Sequence, residues 1–389
     1  MKLNTTELIS KVPLLDVNRG NGELRDEILE AITRVVDSGR FLHGPEVTEL
    51  EKEVAQVCGA KHGISCASGS DALLLALMAL NIQPGDEVIV PSFTFFATAS
   101  CVARVGAKIV FADIDPKTFN IDPQCVSKKI TSKTKAIIPV HLFGQCAAMD
   151  EICNLAKDRG IAVIEDAAQA IGAEYKNRPA GNWGDMGCLS FYPTKNLGGM
   201  GDGGMMVCND DEVAAGLRLY AAHGMQPRYH HHVVGINSRL DTIQAAILSI
   251  KLRKLDEYTA ARQQNAARYM EMFKNFRLSE AVELPYQMPD TLHVWNQFGI
   301  RVKSGSRDAL RKHLQDNNVG CEIYYPLPLH LQPCFQYCNY KVGSLPETER
   351  ASNEILHIPV YPELTLAEQE TVVARIRRFY ADGMYKRAA

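Results

Sequence analysis

Short apolar runs alternate with segments of helical periodicity through the first two thirds of the 389-residue chain. Helix-like segments such as 71–80 and 149–160 separate most of these runs. The runs are too apolar for a half-exposed antiparallel sheet, so we predict an α/β fold with a mostly parallel sheet. The runs cover residues 64–68, 86–92, 108–114, 136–143, 161–168, 187–193 and 204–209.

The pattern changes twice along the chain. The run at 204–209 follows its predecessor through a glycine loop without a helix, which predicts one antiparallel strand in the sheet. Residues 238–276 are rich in helix formers and lack proline, so they predict one long helix or a broken pair that links two domains. Beyond them lies a smaller α/β unit. We therefore predict a large domain at 1–255 and a small C-terminal domain at 256–389.

Composition narrows the classes of function. The chain has 46% hydrophobic residues, 22% charged residues and a formal net charge of -3, so we do not expect nucleic acid as a partner. Its 11 cysteines form no C-x-x-C pair, and the chain shows neither a signal-peptide pattern nor an apolar run of about 20 residues. We expect a cytoplasmic protein without a membrane segment.

The stretch FYPTKNLGGMGDGGMMV at 191–207 has two interpretations. From Gly199 it matches G-x-G-x-x-G, the spacing of a dinucleotide-binding turn. Such a turn opens a helix and is followed about 20 residues later by an acidic residue, but here a strand-like run follows and residues 219–224 contain no acid. The hypothesis that the protein is a nicotinamide oxidoreductase depends on this pattern alone. The glycines are better interpreted as a tight loop.

The second interpretation centres on Lys195, whose amine could hold pyridoxal phosphate covalently. The cofactor needs an acid at its pyridine nitrogen, and Asp166 ends a very apolar run, although an aspartate there is more often a cap or loop contact. Gln169 could face the same site. Glu165 should point the opposite way along a strand.

Phosphate and ring contacts also have candidates. The turn at 68–71 precedes a helix, so Ser70 and Asp71 could bind an anion, although such a turn taken alone is more often an ordinary helix cap. Ser190 is a further hydroxyl donor. Phe95 and Phe96 follow a strand end, where an aromatic ring could stack on a planar cofactor.

These motifs together resemble the sugar-nucleotide aminotransferases of pyridoxal-phosphate fold type I. The resemblance spans nearly the whole chain and implies the aspartate aminotransferase-like fold, in which a mixed, mostly parallel seven-stranded sheet forms the large domain and a smaller α/β domain follows. The motifs that carry it are GSDAL, PSFTFFATA, VHLFG, IEDAAQA, SFYPTKNLG, NSRLDTIQAAIL and YYPLPLHLQ.

The resemblance implies a role for each matching residue. Lys195 corresponds to the lysine that carries the cofactor, and relatives that dehydrate or deoxygenate sugars have histidine there. The other cofactor residues implied are Asp166 at the pyridine nitrogen, Gln169 at the ring hydroxyl, Phe95 in the stack, and Ser70, Asp71 and Ser190 at the phosphate. Asn237 matches an asparagine that reaches the partner's phosphate, which implies a homodimer with shared active sites.

The resemblance also implies the reaction. L-Glutamate would give its amino group to the cofactor, and a nucleotide-linked keto-sugar would accept it, in surface polysaccharide or amino-sugar biosynthesis. The sequence motifs are most similar to those of enzymes that act on UDP-3-keto sugars such as UDP-2-acetamido-3-keto-glucuronate. Two alternatives stay open: 4-amino transfer to a UDP- or dTDP-4-keto-6-deoxy sugar, and a non-catalytic cofactor-binding regulator.

Substrate contacts are predicted at four positions. Arg239 could bind a carboxylate or phosphate, although a structural ion pair explains it equally well. Tyr324, Tyr325 and His330 lie where relatives contact the substrate. The run His230–His232 has no carboxylate at ligand spacing, so we interpret it as an interface or surface loop and predict no metal.

Overall fold

The computed structural model describes residues 9–303, 305–381 and 383. Its strands divide among one large and two small sheets. In chain order the strands are β1 (His62–Cys66), β2 (Glu87–Pro91), β3 (Lys108–Ala112), β4 (Thr134–Ile137), β5 (Ala162–Asp166), β6 (Glu174–Tyr175), β7 (Arg178–Pro179), β8 (Met186–Ser190), β9 (Gly204–Cys208), β10 (Val282–Glu283), β11 (Thr291–Leu292), β12 (Phe298–Val302) and β13 (Ile355–Ile358).

Helices cover both faces of the large sheet and form much of the C-terminal part. Most are short, and the longest is α10 with 21 residues. They are α1 (Val17–Glu23), α2 (Arg25–Ser38), α3 (Pro45–Val57), α4 (Gly69–Ala79), α5 (Ala97–Arg104), α6 (Pro123–Lys129), α7 (Met149–Lys157), α8 (Asp211–Ala221), α9 (Thr242–Leu252), α10 (Leu255–Asn275), α11 (Arg307–Asp316), α12 (Pro346–Glu354) and α13 (Leu366–Ala381).

The large sheet has seven strands in the order β1-β9-β8-β5-β4-β2-β3. Strand β9 is antiparallel to both of its neighbours, and the other pairs are parallel. The predicted α/β class, the mostly parallel sheet and its one antiparallel strand are therefore confirmed. The small sheets have the orders β10-β12-β13 and β11-β6-β7.

Strand β4 is shorter than the apolar run that predicts it. The run continues to residue 143, but the strand ends at Ile137, because Pro139 has no N–H to donate to a ladder. Irregular pairing continues beyond the strand: the Asp166 N–H donates to the Pro139 carbonyl at 2.9 Å, and the His141 N–H donates to the Asp166 carbonyl at 3.0 Å. These bonds fix the end of β5, which carries Asp166.

The helical segment at 238–276 is a broken pair, α9 and α10, separated by Arg253 and Lys254. The domain boundary that we predict after residue 255 coincides with the start of α10 and stays a prediction. The N-terminal segment packs on the C-terminal core: the Val12 N–H donates to the Asn318 carbonyl at 3.0 Å, and the Gly320 N–H donates to the Val12 carbonyl at 2.8 Å.

Glu165 and Asp166 lie on opposite faces of β5, as strand alternation predicts. The Glu165 side chain is fully buried and accepts four hydrogen bonds of 2.6–2.8 Å. The ring of His141 also accepts the Ala147 N–H at 3.2 Å, so it is satisfied on both sides. The donors to Glu165 are His141 Nε2 and the backbone N–H groups of Gly181, Trp183 and Gly184.

We expect Glu165→Gln to lower the free energy of unfolding by about 2–4 kcal/mol, because an amide offers one acceptor oxygen to donors that now meet two. Thermal or denaturant unfolding measures the change. The exposed Glu151→Gln serves as the control and should stay within about 0.5 kcal/mol of wild type. Equal stability of the two variants would contradict the role of the buried carboxylate.

Candidate active site

Asp166, Lys195 and the turn at 68–71 lie at the carboxyl ends of strands of the large sheet, where α/β proteins bind ligands. Asp166 is the last residue of β5, and the turn before α4 follows β1. Lys195 follows the end of β8 by five residues. The sheet order places β8 beside β5, so Lys195 and Asp166 come from neighbouring strands.

Asp166 is a buried carboxylate that the protein satisfies only in part. Its side chain is 5% exposed. Thr98 Oγ1 donates to Oδ2 at 2.8 Å, and the Ala168 N–H donates to Oδ1 at 3.3 Å. Burial raises the pKa of Asp166, and the Thr98 bond and the attraction of Lys195 oppose this rise. The carboxylate keeps acceptor capacity for a cationic N–H group.

Lys195 is half-buried and borders an open cleft. Its backbone N–H donates to the Tyr192 carbonyl at 2.9 Å. Burial lowers the pKa of the amine to about 8, although the Asp166 carboxylate opposes the fall. The amine is therefore uncharged for a larger fraction near neutral pH than an ordinary lysine. Tyr324, Gln297 and His357 also line the cleft.

The turn before α4 offers free donors to an anion. Ser68 caps the helix by accepting the Asp71 N–H at 3.1 Å, and its carbonyl accepts the Ala72 N–H at 3.0 Å. Within the described ranges no atom accepts a hydrogen bond from the N–H of Gly69 or Ser70. Two N–H groups at the positive end of an eleven-residue helix suit a phosphate.

Two glycines bring Ser190 against this turn. A Cβ on Gly69 would lie 2.7 Å from Ser190 Cβ and 3.2 Å from its Oγ, and a Cβ on Gly204 would lie 2.4 Å from the Ser68 carbonyl carbon. Only glycine permits these approaches. Gly204 opens strand β9 rather than a helix, so the dinucleotide interpretation of the glycine run is excluded.

Gln169 and the aromatic residues lie around the same region. Gln169 Oε1 accepts the Phe143 N–H at 2.6 Å, and its Nε2 lies 3.4 Å from the Tyr325 hydroxyl. The Phe95 ring centroid lies 6.3 Å from that of Tyr325. Phe96 instead stacks on another aromatic ring, Phe335, at 5.3 Å. The arrangement favours Phe95 as the residue that faces a cofactor.

Asn237 is exposed. Its neighbour Ser238 binds directly to the turn at 68–71 before α4, which we call the phosphate turn because its free N–H groups suit a phosphate. Ser238 Oγ donates to Asp71 Oδ2 at 2.7 Å and accepts the Ala67 N–H at 3.0 Å. Arg239 is half-buried and forms no ion pair with a described carboxylate. The alternative that Arg239 forms a structural ion pair therefore has no support among the described residues, because none of their carboxylates pairs with it.

His330 does not join the site residues. Its ring is 1% exposed, its Nδ1 lies 2.7 Å from Ser92 Oγ, and its Nε2 lies 3.2 Å from Glu349. Both ring nitrogens therefore have partners within the protein. The resemblance predicts that His330 contacts the substrate, but neither ring nitrogen is free to do so. Tyr324, by contrast, does border the cleft with Lys195.

Sequence reasoning missed Thr98 and Ser238. Both hydroxyls bind acids of the site, Asp166 and Asp71, across 68 and 167 residues of chain. A threonine at the start of a helix and a serine beside Asn237 are common features, so no local signal marks these partners.

The histidine run is an exposed loop that bonds to its own backbone. His231 Nδ1 lies 3.0 Å from the His223 carbonyl. Among the residues that the structure describes, no cluster of three or more His, Cys, Asp or Glu side chains could hold a metal ion. Over the same residues, no helix combines the length and hydropathy needed to span a bilayer.

The donor set fits pyridoxal phosphate. Asp166 offers a buried acceptor for a protonated ring nitrogen, Lys195 offers an amine of lowered pKa for the aldehyde, and the 69–70 turn with Ser190 offers phosphate donors. Together with the mixed seven-stranded sheet, these groups define the site of an aminotransferase of fold type I.

Comparison with known proteins agrees. The chain matches the DegT/DnrJ/EryC1/StrS aminotransferase family over residues 23–377 and belongs to it. A pleiotropic regulatory protein of Geobacillus stearothermophilus is 49% identical over 95% of this chain and 98% of its own length. The UDP-2-acetamido-2-deoxy-3-oxo-D-glucuronate aminotransferase of Pseudomonas aeruginosa is 43% identical over 94% and 99%. The crystal structure of S. venezuelae DesV superposes with a TM-score of 0.92 and is 41% identical, covering 95% of this chain and 99% of that one.

The family confirms four of the predictions: the resemblance, the fold class, enzymatic activity as an aminotransferase, and pyridoxal phosphate as the cofactor. The roles of individual residues stay predictions that the geometry supports. The substrate is a separate question.

We expect cofactor uptake by the apoprotein to follow the uncharged fraction of the Lys195 amine. Because burial lowers the pKa of Lys195 to about 8, the uptake rate should rise with pH and level off above about 8, rather than near the ordinary value of 10.5. Stopped-flow absorbance measures the rate, and Lys195→Ala should show no covalent uptake. A rate that still rises steeply near the ordinary lysine value would contradict the lowered pKa.

Proposed function

We propose that this protein transfers an amino group from L-glutamate to a keto-sugar carried on a nucleotide. The preferred acceptor is a UDP-3-keto sugar such as UDP-2-acetamido-3-keto-glucuronate. The observation that carries the proposal is the pairing of a buried Asp166 with a Lys195 amine of lowered pKa at one end of the sheet. The Pseudomonas relative named for a 3-oxo sugar nucleotide supports the acceptor.

Each residue of the site has a separable task in this reaction. When bound, pyridoxal phosphate supplies the electron sink that weakens the bond from the amino donor's α carbon to hydrogen. Asp166 keeps a proton on the pyridine nitrogen, because an ionised carboxylate stabilises a cation beside it in a buried site. Lys195 Nζ can take the proton from the α carbon and return it. The 69–70 turn and Ser190 orient the phosphate.

We assign substrate selection to Arg239, Tyr324 and Tyr325. Arg239, without a described carboxylate partner, is suited to the carboxylate of a sugar acid or to a nucleotide phosphate. Tyr324 lines the cleft, and Tyr325 lies beside Gln169. Each tyrosine hydroxyl can exchange hydrogen bonds with a sugar hydroxyl.

The assembly and the location are part of the same proposal. Asn237 is exposed next to Ser238, which anchors it to the phosphate turn. This exposure is consistent with a contact to the phosphate of a second subunit, and so with a homodimer of shared active sites. We also propose that the enzyme works in the cytoplasm and that residues 1–255 and 256–389 form its two domains.

A regulatory role is the second candidate, because the Geobacillus relative is named a pleiotropic regulatory protein. A sensor without turnover would not need an amine poised for proton transfer, and this chain has Lys195 with a pKa of about 8. Absorbance separates the two candidates. If the protein is an aminotransferase, glutamate should shift the absorbance band of the cofactor, and a keto-sugar added afterwards should restore the original band. A sensor would show neither change.

We expect Lys195→Ala to abolish transamination while leaving the unfolding midpoint near that of wild type, because Lys195 supplies the covalent anchor and the proton carrier but no bond that holds the fold. Chromatographic assay of the amino-sugar nucleotide measures activity. Lys128→Ala, at an exposed position of α6, should keep full activity. Substantial turnover by Lys195→Ala would refute the assignment.

We expect UDP-3-keto sugars to be the better acceptors in a panel that also contains UDP- and dTDP-4-keto-6-deoxy sugars. Removing the Arg239 side chain, in Arg239→Met, should raise KM for a sugar acid about tenfold or more, because a charged hydrogen bond is lost. Product formation and its KM measure both effects. Preference for a 4-keto sugar would overturn the proposed acceptor and leave transamination itself intact.

A further inference from the structure

The loop that carries Lys195 is fixed by the next residue in the chain. Asn196 is 8% exposed, and both ends of its amide are bonded. Its Nδ2 donates to the Val294 carbonyl at 2.8 Å, and its Oδ1 accepts from Asn296 Nδ2 at 2.9 Å. The backbone beside the amine is therefore tied to a single distant turn, which consists of residues 293–297.

The 293–297 turn is itself held in an unusual conformation. Trp295 has a φ of +47°, in the left-handed region that bulky residues rarely adopt. The His293 ring stacks on Trp295 at 3.8 Å and accepts its N–H at 3.0 Å, while Arg262 donates to the Trp295 carbonyl at 3.1 Å. Residues in such conformations persist where their surroundings fix them, and they cluster at functional sites.

The same turn also contacts the loop that binds Gln169. The Val294 N–H donates to the Gly144 carbonyl at 2.9 Å. Gly144 has a φ of +100°, and a Cβ there would lie 2.9 Å from the Asn296 nitrogen, so only glycine permits the contact. Its neighbour Phe143 donates its N–H to Gln169 Oε1. One turn thus joins the lysine side and the glutamine side of the site.

We propose that Asn196 and Asn296 are positioning residues, which hold Lys195 in register with Asp166 and Gln169 through the 293–297 turn. Arg262 also donates to the Val360 carbonyl at 2.9 Å, so the turn is continuous with the C-terminal core. The inference rests on Lys195 being the amine of the proposed function and is independent of which sugar is accepted.

The test uses Asn196→Ala and Asn296→Ala. We expect the rate at which L-glutamate changes the cofactor absorbance to fall by about a hundredfold, because a displaced amine loses alignment with the α carbon. In the apoprotein, amine labelling followed by mass spectrometry should show the pH midpoint of Lys195 moving up from about 8 toward 10.5, since a loosened loop admits water. The double variant should add little, because both residues act in one chain of bonds.

Asn265→Ala is the matched control. Asn265 is 2% exposed, and its Nδ2 donates to the Tyr361 carbonyl at 2.8 Å, so truncation removes a buried side chain and a similar bond away from Lys195. All three variants should lose thermal stability, but only Asn196→Ala and Asn296→Ala should change the labelling midpoint and the glutamate rate. If both match Asn265→Ala in midpoint and rate, the positioning role is overturned. If an alanine variant does not fold, Asn296→Ser is compared with Asn265→Ala in the same two measurements.

The outcomes separate this inference from the proposed function. If wild type accepts no keto-sugar, the proposed acceptor fails, while the labelling midpoints still test the asparagines. If wild type does not respond to glutamate, the proposed donor fails. The pH midpoints of Lys195 labelling then still test whether the two asparagines position the lysine. If the asparagine variants label and react like the control, the positioning role fails while the substrate assignment stands.

Discussion

The site depends on burying the Asp166 carboxylate at the end of β5. Strand alternation puts Glu165 and Asp166 on opposite faces, and both are buried. Glu165 receives four hydrogen bonds from protein atoms, whereas Asp166 receives two. A buried charge that the fold does not satisfy favours a cationic partner, and a protonated pyridine nitrogen is such a partner. The first carboxylate stabilises the strand, and the second is available to a ligand.

The two charged groups of the site shift in opposite directions for the same reason. Burial raises the pKa of Asp166 and lowers that of Lys195 to about 8, and their mutual attraction opposes both shifts. Attraction alone would stabilise both charges, so desolvation outweighs it at each group. The consequence is an amine that loses its proton within the working range of pH. A lysine on the protein surface could not exchange protons so readily.

The sequence predicts those parts of the fold and site that local patterns determine. Apolar runs mark the strands of the large sheet, and the acid at the end of β5 and the lysine after β8 follow from position. Partners brought in from a distance could not be predicted: Asn196 meets Asn296 across 100 residues, and Thr98 meets Asp166 across 68. His330 shows the opposite error. It is near Tyr325 in sequence, but its ring bonds to Ser92 in the core.

Arg239 shows how the unpaired charges bear on the substrate. Two other arginines with restricted exposure have carboxylate partners: the buried Arg301 binds Glu354, and the half-buried Arg19 binds Glu368. Arg239 has none in the described part of the chain, although taking a guanidinium out of water without a counter-charge is unfavourable. Since no described carboxylate supplies that counter-charge, Arg239 suits a negative group of a substrate or of a second subunit. Ser238, the residue before Arg239, is bonded to Asp71 of the turn before α4, so the segment that carries the arginine is fixed to the turn that we propose for the cofactor's phosphate.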